Sequence, residues 1–351
     1  MGRVGNVKSF LSRLLVSDYF ILYLNILIFL IACLFLPGFF LSLPNLSNIL
    51  EFMWPLFAIT IGQSFVLIVA GIDLSQTSVM ALASVIGGFV MSSGLEADKF
   101  AKSPLWGNVI SESGGVLSGS NFAVPVAIIA MLAVGVIIGL LNGLAVAKLR
   151  MPPFIVTLVT QMFFVALAIL LTQSNNIINL PDSFNNIGEG KLGFISIACL
   201  ISVALAIIAQ IILKKSLLGR WLYAAGTNIR ASFISGVPTQ KVIIFAYMFS
   251  GFCAAIGAVI YSGRLQAGRP TLGQNMLMDI IGAAIIGGNS LFGGKGNVLY
   301  AFYGVIFLIL ISNIMNVLNL DVLLVIVLKG TIILIAAFLD VTRRRVLTRG
   351  S

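Results

Sequence analysis

Residues 122–147 read FAVPVAIIAMLAVGVIIGLLNGLAVA and residues 153–173 read PFIVTLVTQMFFVALAILLTQ, with only the short basic turn KLRMP between them. Neither run carries a charge, and each matches the roughly 20 apolar residues that cross a bilayer core. Without water, the backbone amides of such a run must bond within their own segment, so both are read as helices. A β-barrel would instead show short stretches of polar/apolar alternation.

The same pattern recurs outward from these two runs. Ten spans are expected, at about 19–38, 48–70, 74–92, 122–147, 153–173, 194–213, 240–262, 275–288, 298–316 and 321–340. The third and eighth are short and rich in Gly, Ser or Asn. The fold class is therefore an all-α polytopic membrane protein, with residues 1–351 forming one transmembrane domain. Composition agrees: 59% of the 351 residues are apolar and 9% charged, against about 25% charged in soluble domains. The mean hydropathy is +1.11. A water-soluble folded surface is excluded.

Polar segments punctuate the spans. Residues 93–121 are expected to form an extracytoplasmic loop, 173–191 a shorter polar stretch, and 214–239 a cytoplasmic loop carrying most of the internal charge. At the N-terminus, Arg3, Lys8 and Arg13 precede the apolar run 19–36, which is longer than a signal-peptide core and has no small-residue cleavage site before Pro37-Gly38. Val7, Phe10, Leu11, Leu14 and Leu15 keep helical spacing, so 1–18 is read as a cytoplasmic interfacial segment before an uncleaved first span.

The net charge of +10 comes from 21 basic and 11 acidic residues. The basic residues sit at span ends rather than in one patch, which argues against nucleic-acid binding. With ten spans and both termini cytoplasmic, only Lys99, Lys102, Lys191, Arg264 and Arg269 fall outside, Lys329 lies within a span, and the other fifteen lie inside. That bias fits the positive-inside rule. Histidine is absent, which removes the usual general base and metal ligand. Cys33, Cys199 and Cys253 lie far apart within apolar runs and read as packing residues, not a disulfide framework or zinc site. No catalytic constellation, metal site or cofactor is expected.

The halves echo each other. Asn142-Gly143-Leu144 is matched 171 residues on by Asn313-Ile314-Met315, and Ile86-Gly87-Gly88 is matched 200 residues on by Ile286-Gly287-Gly288. The difference equals the length of the 93–121 stretch, read as an insertion in the first half. Two five-helix pseudo-repeats are expected, an arrangement common in transporters.

Several residues stand out against this background. Gly135, Gly139 and Gly143 share one face of the fourth span and permit close helix approach. Asp73, in Gly71-Ile72-Asp73-Leu74-Ser75, either caps the third span or contacts substrate. Asp279 and Lys329 each lie in apolar runs, and pairing with each other, or of Asp279 with Arg264 or Arg269, competes with a place on the substrate path. Gln63, Asn142 and Asn313 are polar within spans, so each is a path candidate or a helix–helix hydrogen bond. The glycine-rich run 286–296 lacks the Gly and Ser/Thr spacing of a phosphate loop. In GTNIRASFISGVP (226–238), Asn228 is a plausible N-cap, and Gly236 and Pro238 close a short helix on the basic side. It suits either a docking element or an ordinary loop helix.

RLQAGRPTLG (264–273), Asp279, GGNSL (287–291) and GGKG (293–296) strongly resemble the ribose-type sugar permeases of ABC importers. So do Gly71–Ser75, Leu141-Asn142-Gly143, PFIVTL (153–158) and the 226–236 segment, in the right order, from about 47 to 340. The resemblance implies a bacterial inner-membrane permease that translocates a monosaccharide or similar polyol, driven by ATP hydrolysis in partner subunits. It implies a permease homodimer or heterodimer, a cytoplasmic ATP-binding subunit and an extracytoplasmic solute-binding protein. It also implies a coupling helix around Gly226, Asn228, Arg230, Ala231, Ser232 and Gly236. Path candidates are Gln63, Asp73, Asn142, Asp279 and Asn313. The chain departs from the family at Gln76-Thr77 and at 275–278, where substrate identity is in question. The alternatives are a branched-chain amino-acid ABC permease or an ion-coupled secondary transporter.

Overall fold

The computed structural model describes residues 19–349, with the backbone alone at 37, 336, 337 and 339–349. The expected interfacial segment 1–18 lies outside the described residues. Ten principal helices follow one another: α1 (Phe20–Phe35), α2 (Leu43–Ile68), α3 (Gln76–Met91), α4 (Ala123–Ala147), α5 (Pro153–Thr172), α6 (Ile197–Lys215), α7 (Thr239–Arg264), α8 (Leu277–Gly287), α9 (Val298–Val317) and α10 (Val322–Arg349). Six of them, α2, α4, α5, α6, α7 and α9, are long and apolar enough to cross a membrane; α1, α3, the 274–287 segment and the apolar part of α10 are shorter. The chain is a helical multi-pass membrane protein.

The expected polar stretches hold structure of their own. Residues 93–121 fold back on the end of α3, through Gly115 N–H to Ser92 O (2.9 Å) and Val116 N–H to Phe89 O (3.0 Å). The 173–191 stretch contains a helix, Asp182–Glu189, followed by a two-stranded hairpin, Lys191–Leu192 with Ile195–Ser196. The 214–239 loop holds two helices, Leu217–Thr227 and Ile229–Ile234, where one was expected.

Among the six long helices α2 and α7 are the most enclosed, and they pack against each other. The seam between α4 and α7 explains the glycine spacing. A Cβ on Gly135 would overlap the Gly251 carbonyl oxygen, one on Gly139 the Tyr247 carbonyl oxygen, and one on Gly143 would lie 2.8 Å from Ile244 Cα. Backbone thus meets backbone along three turns, the approach that small residues permit in lipid. By contrast α5 buries little of its surface and exposes Phe154, Val159, Met162 and Phe163. In lipid such a face needs no aqueous explanation.

The packing has an internal correspondence. α2 and α7 are each 26 residues long, and two residues past each end a non-glycine residue, Ala70 (φ 60°) and Gln266 (φ 50°), turns left-handed. α3 packs on α4 and α5 as α8 packs on α9 and α10, and α3 packs on α7 as α8 packs on α2. α4 meets α7 as α9 meets α2, and α4 meets α5 as α9 meets α10.

Candidate functional site

Two constructions stand out. The first lies in the break between α2 and α3. The chain turns at Ala70 and passes Gly71, where a Cβ would sit 2.5 Å from the Tyr247 hydroxyl. Beyond it Asp73 is 1% exposed. Its Oδ1 accepts from the Ser75 amide (2.9 Å) and the Ser75 hydroxyl (2.6 Å), and its Oδ2 accepts from the Ser250 hydroxyl of α7 (2.7 Å). Buried polar atoms need such partners, because leaving them unpaired costs about 1–3 kcal/mol each.

The network continues on both sides. Ser75 Oγ accepts from Asn142 Nδ2 on α4 (2.8 Å), and Asn142 Oδ1 accepts from the Thr160 hydroxyl on α5 (2.7 Å). Ser250 Oγ accepts from Gln76 Nε2 (2.9 Å), which also reaches the Ile59 carbonyl of α2 (3.2 Å). Further along, the Ser84 and Ser262 hydroxyls meet at 2.6 Å. One buried polar string therefore joins α2, α3, α4, α5 and α7.

The expected cap is thus replaced by another arrangement. Asp73 bonds the amide of Ser75, which precedes α3, and leaves the amides of the first helical turn alone. It fixes an irregular loop to α7, which is how non-helical backbone persists at membrane depth.

The structure brings Asp73 and Asn142 together and disperses the other path candidates. Gln63 is fully buried in α2, and among the described residues neither of its amide atoms has a hydrogen-bond partner. Asn313 and Asn45 exchange amide hydrogen bonds (2.6 and 3.1 Å) between α9 and the start of α2. Asp279 pairs with Lys329 of α10 at 2.9 Å, each about one-fifth exposed. Arg264 instead meets Glu51 (3.4 Å) and covers the Phe52 ring (3.8 Å). Because removing one partner strands the other charge, Lys329→Met should destabilise the protein by about 2 kcal/mol. The double variant Asp279→Asn/Lys329→Met should regain most of the thermal midpoint in detergent; equal loss in both would show that the pair itself does not matter. Ser250 and Thr160 escaped the sequence reading, and Ser75 and Gln76 entered it only as motif positions, since a polar side chain in a span carries no pattern that names its partner.

The second construction is a joint at the basic end of the bundle. Asn228 Oδ1 accepts from the Ala231 amide (3.0 Å) and so caps Ile229–Ile234, and Gly236 turns at φ 82°, as the sequence suggested. Ile229, Arg230, Ala231, Phe233 and Ile234 are exposed, whereas Ser232 faces inward. Gly226 is buried: its Cβ would overlap the Ile68 carbonyl oxygen at the end of α2 and lie 2.7 Å from Gly294 N. The 288–297 loop completes the joint. Gly294 N–H donates to Ile68 O (2.9 Å), the Tyr223 hydroxyl to Gly296 O (2.8 Å), and Asn289 Nδ2 to Ser64 Oγ (3.1 Å), while Asn289 Oδ1 accepts from the Asn297 amide (2.8 Å). Burial lifts the Tyr223 hydroxyl above the usual tyrosine range, keeping it a donor. The two short helices are thereby fastened to α2 and to the α8–α9 connection.

Among the described residues no three His, Cys, Asp or Glu side chains come together to hold a metal ion, and the cysteines are free. Fold and polar clusters define a membrane-embedded helical protein whose buried polar residues tie helices to one another. The chain belongs to the family described as branched-chain amino acid transport system / permease component, which matches residues 45–337. It is 30% identical over 334 residues to the ribose import permease protein RbsC of Haemophilus influenzae, covering 94% of both chains. It is 31% identical over 320 residues to the protein of the same name from Bacillus subtilis, covering 91% of each. It is also 29% identical over 304 residues to the D-allose transport system permease protein AlsC of Escherichia coli, covering 87% of this chain and 85% of that one. No solved structure matches it.

Proposed function

We propose that this chain is the transmembrane permease subunit of an ATP-driven importer and that its cargo is a monosaccharide or similar polyol. The observation that carries this reading is similarity along nearly the whole length to permeases named for ribose and allose. The family description names branched-chain amino acids, but the relatives named above are sugar permeases, and an amino-acid cargo needs paired charges for its carboxylate and amine.

The short and long helices together make ten crossings, with both termini in the cytoplasm of a bacterial inner membrane. The end of the bundle that holds Lys148, Lys214, Lys215, Lys241 and Lys295 has the cytoplasmic charge sign, whereas Glu51, Glu96, Asp98, Glu112, Asp182, Glu189 and Asp321 all lie in segments toward the other end. Two five-helix repeats in opposite orientation account for the reciprocal packing of α1–α5 and α6–α10, and such repeats rock against each other in alternating access. A solute-binding protein docks outside, over surfaces that include 93–121. A cytoplasmic ATP-binding subunit docks on Ile229, Arg230, Phe233 and Ile234, and a second permease completes the path.

The geometry favours ATP over an ion gradient as the energy source. A coupling carboxyl must be free to exchange its ion, yet Asp73 is held by Ser75 and Ser250, and Asp279 by Lys329. Uptake in vesicles containing the complete complex should survive a proton uncoupler and stop when ATP is withheld; the reverse pattern overturns the proposal. For docking, Phe233→Asp/Ile234→Asp should reduce co-purification of the ATP-binding subunit by tenfold or more while leaving the thermal midpoint unchanged, since both side chains are over two-thirds exposed. Undiminished association would remove this helix from the interface.

A further inference from the structure

A groove of about 390 Å³ opens on the flank of the bundle between α2, α6 and α9. Trp54, Phe57, Ile207 and Phe302 line it, as do Lys214 and Lys215, which are exposed at the end of α6. We propose that it holds one acyl chain of an anionic phospholipid from the cytoplasmic leaflet, with the lipid phosphate on the two lysines. The leaflet assignment rests on the orientation proposed above.

Depth supports this occupant. The groove follows α6 from Val203 to Lys215, about 18 Å at 1.5 Å per residue, close to half of a hydrocarbon core about 30 Å thick. Beside Val203, the Ser202 hydroxyl bonds the Trp54 carbonyl (2.9 Å) and ties α6 to α2. The wall is fixed by aromatic contacts, Trp54 stacking on Phe302 (6.5 Å) and Phe57 meeting the same ring edge-on (5.1 Å). The volume suits one chain and not a whole lipid, and falls in the range of small-ligand cavities.

Charge supports it as well. Lys214 and Lys215 are exposed, and among the described residues neither is ion-paired. Basic residues at the surface of an anionic leaflet attract its headgroups. One turn deeper, Gln210 also lines the groove. A zwitterionic lipid brings the same phosphate with a compensating ammonium, and so gains less from the two lysines.

Trp54 provides the readout. In full-length protein with Trp106→Phe and Trp221→Phe, reconstituted in phosphatidylcholine, chain-brominated phosphatidylglycerol should quench Trp54 at a roughly tenfold lower mole fraction than chain-brominated phosphatidylcholine. Lys214→Gln/Lys215→Gln should abolish that difference. Equal quenching by both lipids overturns the proposal, as does no quenching at all, which would mean that a second protein chain covers the groove. Should the tryptophan variant not fold, wild-type protein taken through delipidation should retain phosphatidylglycerol over phosphatidylethanolamine, and the lysine variant should not. Labelling Lys215→Cys with an impermeant maleimide tests the orientation separately. Reaction from outside would move the lipid to the other leaflet without touching the quenching result.

Discussion

Asp73→Ala should lower the stability of the purified protein by about 3–5 kcal/mol, on the basis of about 1–3 kcal/mol for each stranded buried donor. The substitution removes the acceptor for the Ser75 amide, the Ser75 hydroxyl and the Ser250 hydroxyl together. Asn142 and Gln76 bond to those same hydroxyls, so the loss spreads toward α4 and α2. Asp73→Asn should cost far less, about 1 kcal/mol. Its oxygen still receives both Ser75 donors, and its amide donates to the second lone pair of Ser250 Oγ, so only the Ser250 hydroxyl proton loses its acceptor. Thermal midpoints in detergent should therefore rank wild type, Asn, then Ala, with uptake following the same order. An Asp73→Asn protein with the wild-type midpoint and no uptake would overturn the structural role and return Asp73 to the transport path.

That contrast marks where the sequence stopped being informative. The spans were legible because hydrocarbon burial is a property of each run by itself, and the N-cap of Asn228 and the turn at Gly236 were legible because both bonds close within a few residues. Asp73 was visible as an anomaly, an acid between two apolar runs. Its partner Ser250 lies 177 residues away, and a serine in a span looks the same whether it bonds its own helix or another. Gly135, Gly139 and Gly143 declared a close approach without declaring that α7 makes it. The packing correspondence between α2 and α7 shows in equal length and in the left-handed turns at Ala70 and Gln266, while their residues, LPNLSNILEF against TQKVIIFAYM, share almost nothing. Of the six residues that the resemblance placed in the docking segment, Gly226 and Ser232 are buried, while Phe233 and Ile234, outside that set, face out.

Gly226→Val should separate ATP hydrolysis from transport. Even the first carbon of a side chain overlaps the Ile68 carbonyl oxygen, a backbone atom that cannot rotate away, so the helix Leu217–Thr227 must lift from the end of α2. That displacement opens the contact between Gly293 and Gly226 and strains the Gly294 amide bond to Ile68, through which the 288–297 loop connects to α8 and α9. The exposed residues Ile229, Arg230, Phe233 and Ile234 are untouched, so the ATP-binding subunit should still co-purify and hydrolyse ATP in reconstituted vesicles. Solute uptake should fall at least tenfold, because motion of the docked subunit no longer reaches the spans. Gly226→Ala should fall between, since overpacking against backbone by one methyl typically costs 1–3 kcal/mol. Phe233→Asp/Ile234→Asp fails the other way, losing the partner while keeping the joint. If Gly226→Val instead lost the ATP-binding subunit as completely as that double variant, the joint would be part of the docking surface and force would enter the bundle elsewhere.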